Sequence, residues 1–219
     1  MKQSRLLTVF LSVLIALFIF TASIALPILV RPFYYAHIGP LGLEEYTGLS
    51  RSEILTAYDE MMDYCTGQSA DFSAGVLPFS PSGADHFRDV RSLFLLDLWA
   101  AGITGLLLIL WAVLCRRCPL RPARLLGRGF PFWGSVGLGG IFALIGGLAA
   151  LDFDRAFVIF HALFFPGKDN WLFDWRTDPI ILLLPQEFFL NCAVVILLLI
   201  LLFCACFILF DLFYKRKDL

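Results

Sequence analysis

The sequence predicts an all-α integral membrane protein, a bundle of four transmembrane helices with an extracellular and mainly helical cap. The first observation is composition: 59% of the 219 residues are hydrophobic and 16% are charged, whereas soluble domains are about 45–50% apolar and about 25% charged. The second is that four apolar stretches reach the roughly 20 residues that a helix needs to cross a bilayer. The third is the placement of the basic residues, which orients those stretches.

The four predicted spans lie at about residues 6–30, 93–114, 130–151 and 190–213. We treat the whole chain, residues 1–219, as one membrane domain. The apolar run of the first span is longer than the roughly 7–15 residues of a signal-peptide core, so we interpret it as an uncleaved anchor. The third span carries Gly139, Ala143 and Gly147 at a spacing that lets helix backbones approach closely, and we predict that it is the packing centre of the bundle.

Short basic segments precede the first span, join the second to the third, and follow the fourth. Their basic residues are Lys2, Arg5, Arg116, Arg117, Arg121, Arg124, Arg128, Lys215, Arg216 and Lys217. Because such segments face the cytoplasm, we predict that both termini are cytoplasmic. The remaining segments, 31–92 and 152–189, then form the extracellular cap.

The cysteines and the basic cluster do not indicate a metal site or a nucleic-acid site. Cys115 and Cys118, in the stretch CRRC, are a weak zinc signal because no second pair of ligands follows them. Topology and anionic lipid already explain the arginines nearby, so nucleic-acid binding has no support. We expect no metal and no other cofactor.

The first outer segment contains a predicted amphipathic helix. Ser50 and Glu53 have the spacing of a capping box, in which two free N–H groups at a helix start are satisfied reciprocally. An apolar stripe at helical period follows: Ile54, Leu55, Tyr58, Met61, Met62 and Cys65. Turn-rich sequence comes next, with one short strand expected near residues 76–79.

The second outer segment is itself apolar. The stretch FDRAFVIFHALFFPG predicts an interfacial helix that ends at Pro166–Gly167. We interpret its aromatic residues, Phe160 and Phe164 among them, as walls for acyl chains. Trp171 follows at the headgroup level, which suits tryptophan. Residues 180–184 are too few to cross a bilayer, so this stretch is re-entrant or interfacial.

Polar residues gather at the outer membrane boundary. Ser82 and Asp85 have capping spacing, which predicts that a helix begins there and continues into the second span. On that helix His86, Asp89 and Asp97 share one face, with Asp97 about 16 Å deeper. An intramembrane carboxylate is costly and should face the bundle interior, so His86 is expected to face inward too.

The same level holds a wider set of polar side chains: His86, Asp89, Arg91, His161, Asn170, Asp178 and Glu187. Asp178 is expected to cap a helix that starts at Pro179. A lone histidine near a membrane boundary is most often a structural hydrogen-bonding group, and we interpret His37 in that way. His86 and His161 lie on different elements at one depth with acids near them, so we predict that they act chemically.

Motifs of several enzyme classes are missing from the sequence. It has no serine-hydrolase elbow, no H-E-x-x-H zinc motif and no glycine-rich phosphate loop. Two histidines remain that can act as general base and general acid. Because no protein nucleophile accompanies them, the substrate must supply its own, and an aromatic-rich pocket at the outer leaflet favours a lipid substrate.

Two long motifs resemble a known family. DHFRDVRSLF, followed far downstream by FHALFFPGKDNWLFDWRTDPIILLLPQEFF, resembles the lipoprotein intramolecular transacylases, four-span membrane proteins of Gram-positive bacteria. The resemblance covers nearly the whole chain, and the two motifs are specific in combination. It implies a plasma-membrane enzyme that acts on diacylated lipoproteins, and we expect a monomer in contact with membrane lipid.

The resemblance also implies the reaction and the catalytic pair. The sn-2 acyl chain of an S-diacylglyceryl group moves onto the α-amine of the lipoprotein's N-terminal cysteine, which leaves a lyso-form lipoprotein. The positions that match the family's two catalytic histidines are His86 and His161. Family members carry a glutamate shortly before the first histidine, where this chain has SPSGAD, so Asp85 or Asp89 would orient the imidazole instead.

Helix polarity predicts separate roles for the two histidines. His86 falls in the first turn of its predicted helix, where the positive end of the dipole favours the neutral imidazole and therefore a base. His161 falls near the C-terminus of its helix, where the imidazolium and therefore an acid is favoured.

Two other interpretations remain open. A membrane zinc amidase or hydrolase would use His37, His86 and His161 with an aspartate. A non-enzymatic accessory protein or lipid-binding scaffold would need neither histidine of the pair. A transporter is disfavoured, because only Asp97 is clearly ionisable at depth.

Overall fold

The computed structural model describes residues 2–115 and 120–216 of the chain. The predicted cytoplasmic residues Arg116, Arg117 and Lys217 lie outside the described residues, as does Cys118 of the CRRC stretch.

The described chain is mainly α-helical, which confirms the predicted fold class. Its helices are α1 (Arg5–Leu29), α2 (Pro32–Tyr35), α3 (Leu43–Thr47), α4 (Arg51–Cys65), α5 (Pro81–Leu114), α6 (Phe130–Leu151), α7 (Phe153–Phe164) and α8 (Gln186–Arg216). A short 3-10 helix covers Pro179–Leu183. Two strands, β1 (Lys2–Ser4) and β2 (Leu120–Pro122), pair in parallel with Lys2 opposite Leu120.

Four helices are long and apolar enough to cross a membrane: Arg5–Leu29, Pro81–Leu114, Phe130–Leu151 and Gln186–Phe213. The third predicted span matches its helix at both ends. The second begins at Pro81 rather than at residue 93, because the helix continues through the polar residues that precede the apolar run. With 34 residues, α5 is about 51 Å long at 1.5 Å per residue, which exceeds the roughly 30 Å of a bilayer's hydrocarbon core.

The chain divides into two compact units. The first comprises Met1–Ala25, Asp97–Leu148 and Val195–Leu219, and the second comprises Leu26–Leu96 and Ala149–Val194. The first unit contains most of the predicted spans, and the second contains both predicted cap segments. Each unit has its own packed interior.

Small residues of α6 bring helices together in the first unit. A Cβ at Gly134 would lie 2.4 Å from the Ser12 carbonyl oxygen, and one at Gly146 would lie 2.5 Å from the Leu197 side chain. At Gly139 a Cβ would touch Cys204, which belongs to a core with Ile15, Ile19 and Ile200. The predicted packing role of this helix is therefore right for Gly139, but Gly147 faces open space.

A buried carboxylate fixes the end of α8 in the first unit. Asp211 accepts a hydrogen bond from the Gly129 amide at 3.0 Å and pairs with Arg124 at 3.3 Å. A Cβ at Gly129 would lie 2.5 Å from the same carboxylate oxygen. Arg124, which topology alone was expected to explain, thus also joins a loop to a helix.

The amphipathic helix α4 organises the second unit. Its predicted capping box is confirmed: Ser50 Oγ accepts from the Glu53 amide at 3.3 Å, and the Ser50 amide donates to Glu53 Oε2 at 2.8 Å. Tyr58, from its buried face, stacks on Tyr34 with ring centroids 3.7 Å apart, and the Tyr34 hydroxyl donates to the Leu183 carbonyl at 2.9 Å. This packing secures the 3-10 helix Pro179–Leu183, which lies within the second cap segment.

The strand expected near residues 76–79 is absent. Gly75 adopts a φ of +62°, and Pro78 and Pro81 remove backbone donors on either side of Phe79. Without those donors the segment offers too few hydrogen bonds to pair with a neighbouring strand.

Candidate active site

The helix that carries His86 begins at Pro81, with Ser80 as its N-cap. Ser80 Oγ accepts a hydrogen bond from the Gly83 amide at 3.0 Å. The predicted cap of Ser82 with Asp85 is therefore wrong. A proline at the first helical position has its φ already set for a helix, and here it outweighs the capping pattern one residue later.

Asp178 completes this cap from a distant segment. Its Oδ1 accepts from the Ser80 amide at 2.7 Å, and its Oδ2 accepts from the Thr177 hydroxyl at 2.7 Å. The predicted role of Asp178 as the cap of its own helix is wrong, since its side chain makes no cap bond to Pro179–Leu183. A Cβ at Gly83 would lie 2.1 Å from Asp178 Oδ1, so this close approach requires glycine.

His86 is buried among aromatic rings, with 7% of its surface exposed. The rings of Phe165 and Phe173 pack edge-on to it at centroid distances of 5.0 and 5.3 Å. The imidazole of His161 lies 6.1 Å away and nearly parallel, at 27°. The structure thus brings together the two histidines that the sequence placed on different elements.

His161 is buried to the same degree, at 8% exposed. Its Nδ1 donates to the Phe157 carbonyl one turn earlier, at 2.8 Å. Because a carbonyl only accepts, the neutral ring carries its proton on Nδ1 and keeps a lone pair on Nε2. The Trp171 indole stacks on the imidazole at 4.4 Å. Burial lowers the pKa of His161, although the bond to Phe157 opposes that shift.

Asp89 lies one turn after His86 and is held by two side chains from the second cap segment. Lys168 Nζ lies 2.6 Å from both carboxylate oxygens, and Asn170 Nδ2 donates to Oδ2 at 3.1 Å. The carboxylate of Asp89 lies within electrostatic range of the His86 imidazole. Asp89, and not Asp85, is therefore the acid beside the histidine.

Two neighbouring buried polar atoms at this site make no hydrogen bond of ordinary geometry with any described residue. Asn170 lies beside the His86 imidazole, yet neither its Oδ1 nor His86 Nδ1 makes a hydrogen bond of ordinary geometry within residues 2–115 and 120–216. An unpaired buried polar atom costs about 1–3 kcal/mol, so two of them side by side mark a place where a ligand group would be stabilised.

Three predicted site residues lie elsewhere or have other roles. Asp85 forms an exposed ion pair with Arg88 at 2.8 Å. Arg91 donates to the carbonyls of Tyr64 and Ser69 at 2.9 and 2.5 Å and lies over the Tyr64 ring, so it fixes the cap instead of facing the histidines. Glu187 is exposed in the first turn of α8. The partners of Arg91 lie 27 and 22 positions away, so a single sequence does not identify them.

The remaining predicted residues flank the site or belong to the first unit. Phe160 packs edge-on to His161 at 5.4 Å and tilts against Phe164 at 4.6 Å, and both phenylalanines keep an exposed face. Asp97 is half-buried in the first unit, and its Oδ2 has no partner among the residues that the structure describes.

Sequence reasoning missed three residues of the site. Lys168 binds Asp89, and Phe165 and Phe173 enclose His86. The opposite charges of Lys168 and Asp89 were visible, but their separation of 79 positions hides the pair in one sequence. Aromatic residues are so common in this chain that no local signal singled out these two.

His37 makes different contacts from His86 and His161. Its Nδ1 bonds the Phe33 carbonyl at 2.6 Å, and its ring packs on Phe33 and Phe188. This agrees with the structural role predicted for it. No group of three His, Cys, Asp or Glu side chains suited to a metal ion occurs in the described part of the chain, so the zinc amidase interpretation gains no support.

Comparison with known proteins identifies similar molecules. The family model described as "Lipoprotein intramolecular transacylase Lit" matches residues 9–189. The crystal structure of the membrane-integral lipoprotein intramolecular transacylase Lit from Bacillus cereus aligns with a TM-score of 0.84 at 29% identity, covering 98% of this chain and 96% of that one. None of the curated protein sequences compared with the chain matches it.

Two further structures of the Bacillus cereus protein, each with one histidine mutated, to arginine or to alanine, also align. They reach TM-scores of 0.78 and 0.77 at 27% identity. They cover 98% and 97% of this chain, and 94% and 95% of their own chains.

Proposed function

The chain belongs to the lipoprotein intramolecular transacylase family, and from this premise we propose that His86 and His161 move the protons of its acyl transfer. As a member of that family it is a membrane-integral acyltransferase. The observation that carries the proposal is the pair of buried imidazoles 6.1 Å apart, with Asp89 beside one of them.

In the proposed reaction, the α-amine nitrogen of the lipoprotein's N-terminal cysteine attacks the carbonyl carbon of the sn-2 ester. A C–N bond forms, the C–O bond to glycerol breaks, and the glyceryl oxygen gains a proton. Because a free α-amine has a pKa of about 7.7–8.0, much of it arrives as ammonium and loses one proton before the attack and one after it. The chemistry needs a base and an acid, but no water and no second substrate.

His161 is suited to the proton that is lost after the attack. Its neutral ring keeps a lone pair on Nε2, since Nδ1 donates to Phe157. The lowered pKa of His161 favours that neutral ring. In the tetrahedral intermediate the attacking nitrogen and the leaving oxygen are bonded to the same carbon, so Nε2 can take a proton from the first and give it to the second. His161 is then a proton carrier, not an acid that starts out charged.

His86 is suited to the proton that is lost before the attack. Its buried Nδ1 makes no hydrogen bond of ordinary geometry among the described residues, which leaves it available to accept a proton from the incoming ammonium. Helix polarity argues for the same base role, although less strongly than expected, because α5 begins at Pro81 and His86 lies in its second turn. The predicted role of His86 as base is therefore kept in this proposal.

Aromatic walls favour acyl transfer over hydrolysis. Phe157, Phe165 and Trp171 surround the two imidazoles, and Phe165 is almost fully buried. A dry site withholds the water that would otherwise compete with the amine for the ester. Phe160 and Phe164, with their exposed faces, are proposed to contact the acyl chains.

The substrate and the setting are part of the proposal. The family's name supports a lipoprotein as substrate, and we propose that it carries an S-diacylglyceryl group in the bacterial plasma membrane. The basic segments support cytoplasmic termini and an active site at the extracellular face. We propose that the protein acts as a monomer within membrane lipid.

Mass spectrometry of lipoprotein N-terminal peptides tests this function. Cells that carry the wild-type protein should contain lyso-form lipoproteins with an N-acylated cysteine, and cells without the gene should not. His161→Asn should match the deletion, whereas His37→Asn, the matched histidine control, should match wild type. The same lipid pattern in all four strains would overturn the proposed function.

A further inference from the structure

We propose that Asp89, Asn170 and His86 form the binding site for the substrate's α-ammonium group, and that Lys168 occupies this site in the free enzyme. The proposal rests on the proposed function and states how that site recognises its nucleophile. Here Asp89 binds the positive charge, and Lys168 is a resident competitor for it.

The Lys168–Asp89 contact shows that this carboxylate binds a primary ammonium. Lys168 Nζ lies 2.6 Å from each carboxylate oxygen. The α-ammonium of a peptide is the same chemical group, with three N–H donors and one positive charge. The Lys168 side chain is 47% exposed, against 21% for Asp89. Lysine can therefore leave toward solvent while the carboxylate stays in place.

Asn170 presents an acceptor beside that carboxylate. Its Nδ2 donates to Asp89 Oδ2 at 3.1 Å, and the reverse orientation would set two oxygens against each other. The orientation of the amide is therefore fixed, and its Oδ1 is directed away from Asp89. This oxygen is buried beside the His86 imidazole and makes no hydrogen bond of ordinary geometry among the described residues.

His86 supplies the third acceptor. Its side chain is more than nine-tenths buried. Its Nδ1 makes no hydrogen bond of ordinary geometry in the described part of the chain, and the ring interacts with Asp89 and with the Asn170 side chain. An ammonium has three donors, and the site offers a carboxylate oxygen, an amide oxygen and a ring nitrogen. Lys168 bonds the Asp89 carboxylate. A substrate ammonium that is not tethered to the turn after α7 would in addition bond Asn170 Oδ1 and His86 Nδ1.

Exchange of Lys168 for the substrate ammonium would favour substrate binding and product release. When the substrate ammonium replaces Lys168, one positive charge leaves and one enters, so Asp89 stays neutralised. The ammonium then passes one proton to His86 Nδ1 and becomes the neutral amine that attacks the ester. The product is an amide, which carries no charge for Asp89 to hold, and Lys168 returns as the product leaves. A proton remains on His86 and is released to solvent.

Binding of a substrate analogue that cannot react tests the site. The probes are a lipopeptide whose cysteine carries an ether-linked dialkylglyceryl group, with a free α-amine, and its desamino counterpart. With the full-length enzyme at neutral pH, the amine probe should bind about tenfold or more tightly than the desamino probe. Asp89→Asn should abolish that difference. Lys168→Met should tighten binding of the amine probe and leave the desamino probe unchanged.

The controls separate this site from the proposed function. Arg155→Met removes an exposed cation from α7 and should change neither affinity. Equal binding of both probes by the wild-type enzyme would overturn the site, even if Asp89→Asn failed to fold, and so would weaker binding of the amine probe by Lys168→Met. If the ester-linked lipopeptide is converted but the probes bind equally, only the site fails. If the probes are discriminated but no ester is converted, the proposed function fails.

Discussion

At the scale of single residues, the neighbours of a histidine distinguish a structural ring from a reactive one. His37 and His161 make the same bond, from Nδ1 to the carbonyl one turn earlier. His37 then packs on phenylalanines, whereas His161 stacks on Trp171 and faces His86. The shared bond fixes a tautomer in both rings, and His161 in addition has the imidazole of His86 beside it.

Replacing His161 should remove most of the activity. His161→Asn keeps a polar side chain but has no nitrogen that can carry a proton, so we expect kcat to fall by about 10²–10⁴-fold. His37→Asn should stay within a few-fold of wild type. Steady-state kinetics on a synthetic diacylglyceryl lipopeptide measure both. Equal losses of kcat in the two variants would contradict a chemical role for His161, because both rings would then act only through packing.

The pH dependence of kcat should report the lowered pKa of His161. The proton carrier must be neutral when the amine attacks, so activity is lost as His161 becomes protonated. Because burial lowers the pKa of His161, that loss should begin only below the ordinary histidine value of about 6.5. A pH–kcat profile with saturating lipopeptide measures it. An acid limb centred above pH 7 would contradict the assignment.

At the scale of elements, the start of α5 depends on a residue far away in the chain. Asp178 bonds the Ser80 amide from 98 positions downstream, and Gly83 admits its carboxylate at close range. The helix start thereby sets the direction of the turn that carries His86. The same interaction ties the 3-10 helix region to the site.

Gly83→Ala should destabilise the protein. The added Cβ would lie 2.1 Å from Asp178 Oδ1, so the carboxylate must move and the cap weaken, at a cost of about 1–3 kcal/mol. Gly102→Ala, in the same helix with nothing within 4 Å, should leave Tm unchanged or slightly raised. Thermal unfolding in detergent compares the two. A Tm for Gly83→Ala at or above that of Gly102→Ala would contradict the close approach.

At the scale of the whole molecule, local sequence patterns predicted the architecture. The side-chain pairs between distant positions could not be predicted from one sequence. Hydropathy located four helices that can span a membrane, and the capping box located α4. Asp89, Arg91 and Asp178 also have partners between 22 and 98 positions away, and such distant pairs produce no periodic pattern in the sequence. The two histidines were identified because they lie on different elements at one predicted depth with acids near them, while Lys168 was one charge among many.

The predicted topology can be tested by cysteine labelling in intact cells. Tyr46→Cys places an exposed thiol in the first cap segment, and Leu126→Cys places one between α5 and α6. A membrane-impermeant maleimide should label the first without treatment and the second only after permeabilisation. Wild-type protein, in which Cys65 is buried, is the background control. Labelling at position 126 in intact cells would contradict the predicted orientation.

The central claim is that the acyl chain moves within one lipoprotein molecule, with His161 carrying the proton and no water taking part. An isotope crossover experiment tests it most directly. Purified enzyme receives a mixture of a peptide with a deuterated sn-2 chain and a second peptide of different mass with a light chain. Mass spectrometry should find each N-acyl chain on its original peptide, no free fatty acid, and no product with His161→Asn. Crossed products or released fatty acid from the wild-type enzyme would contradict the account.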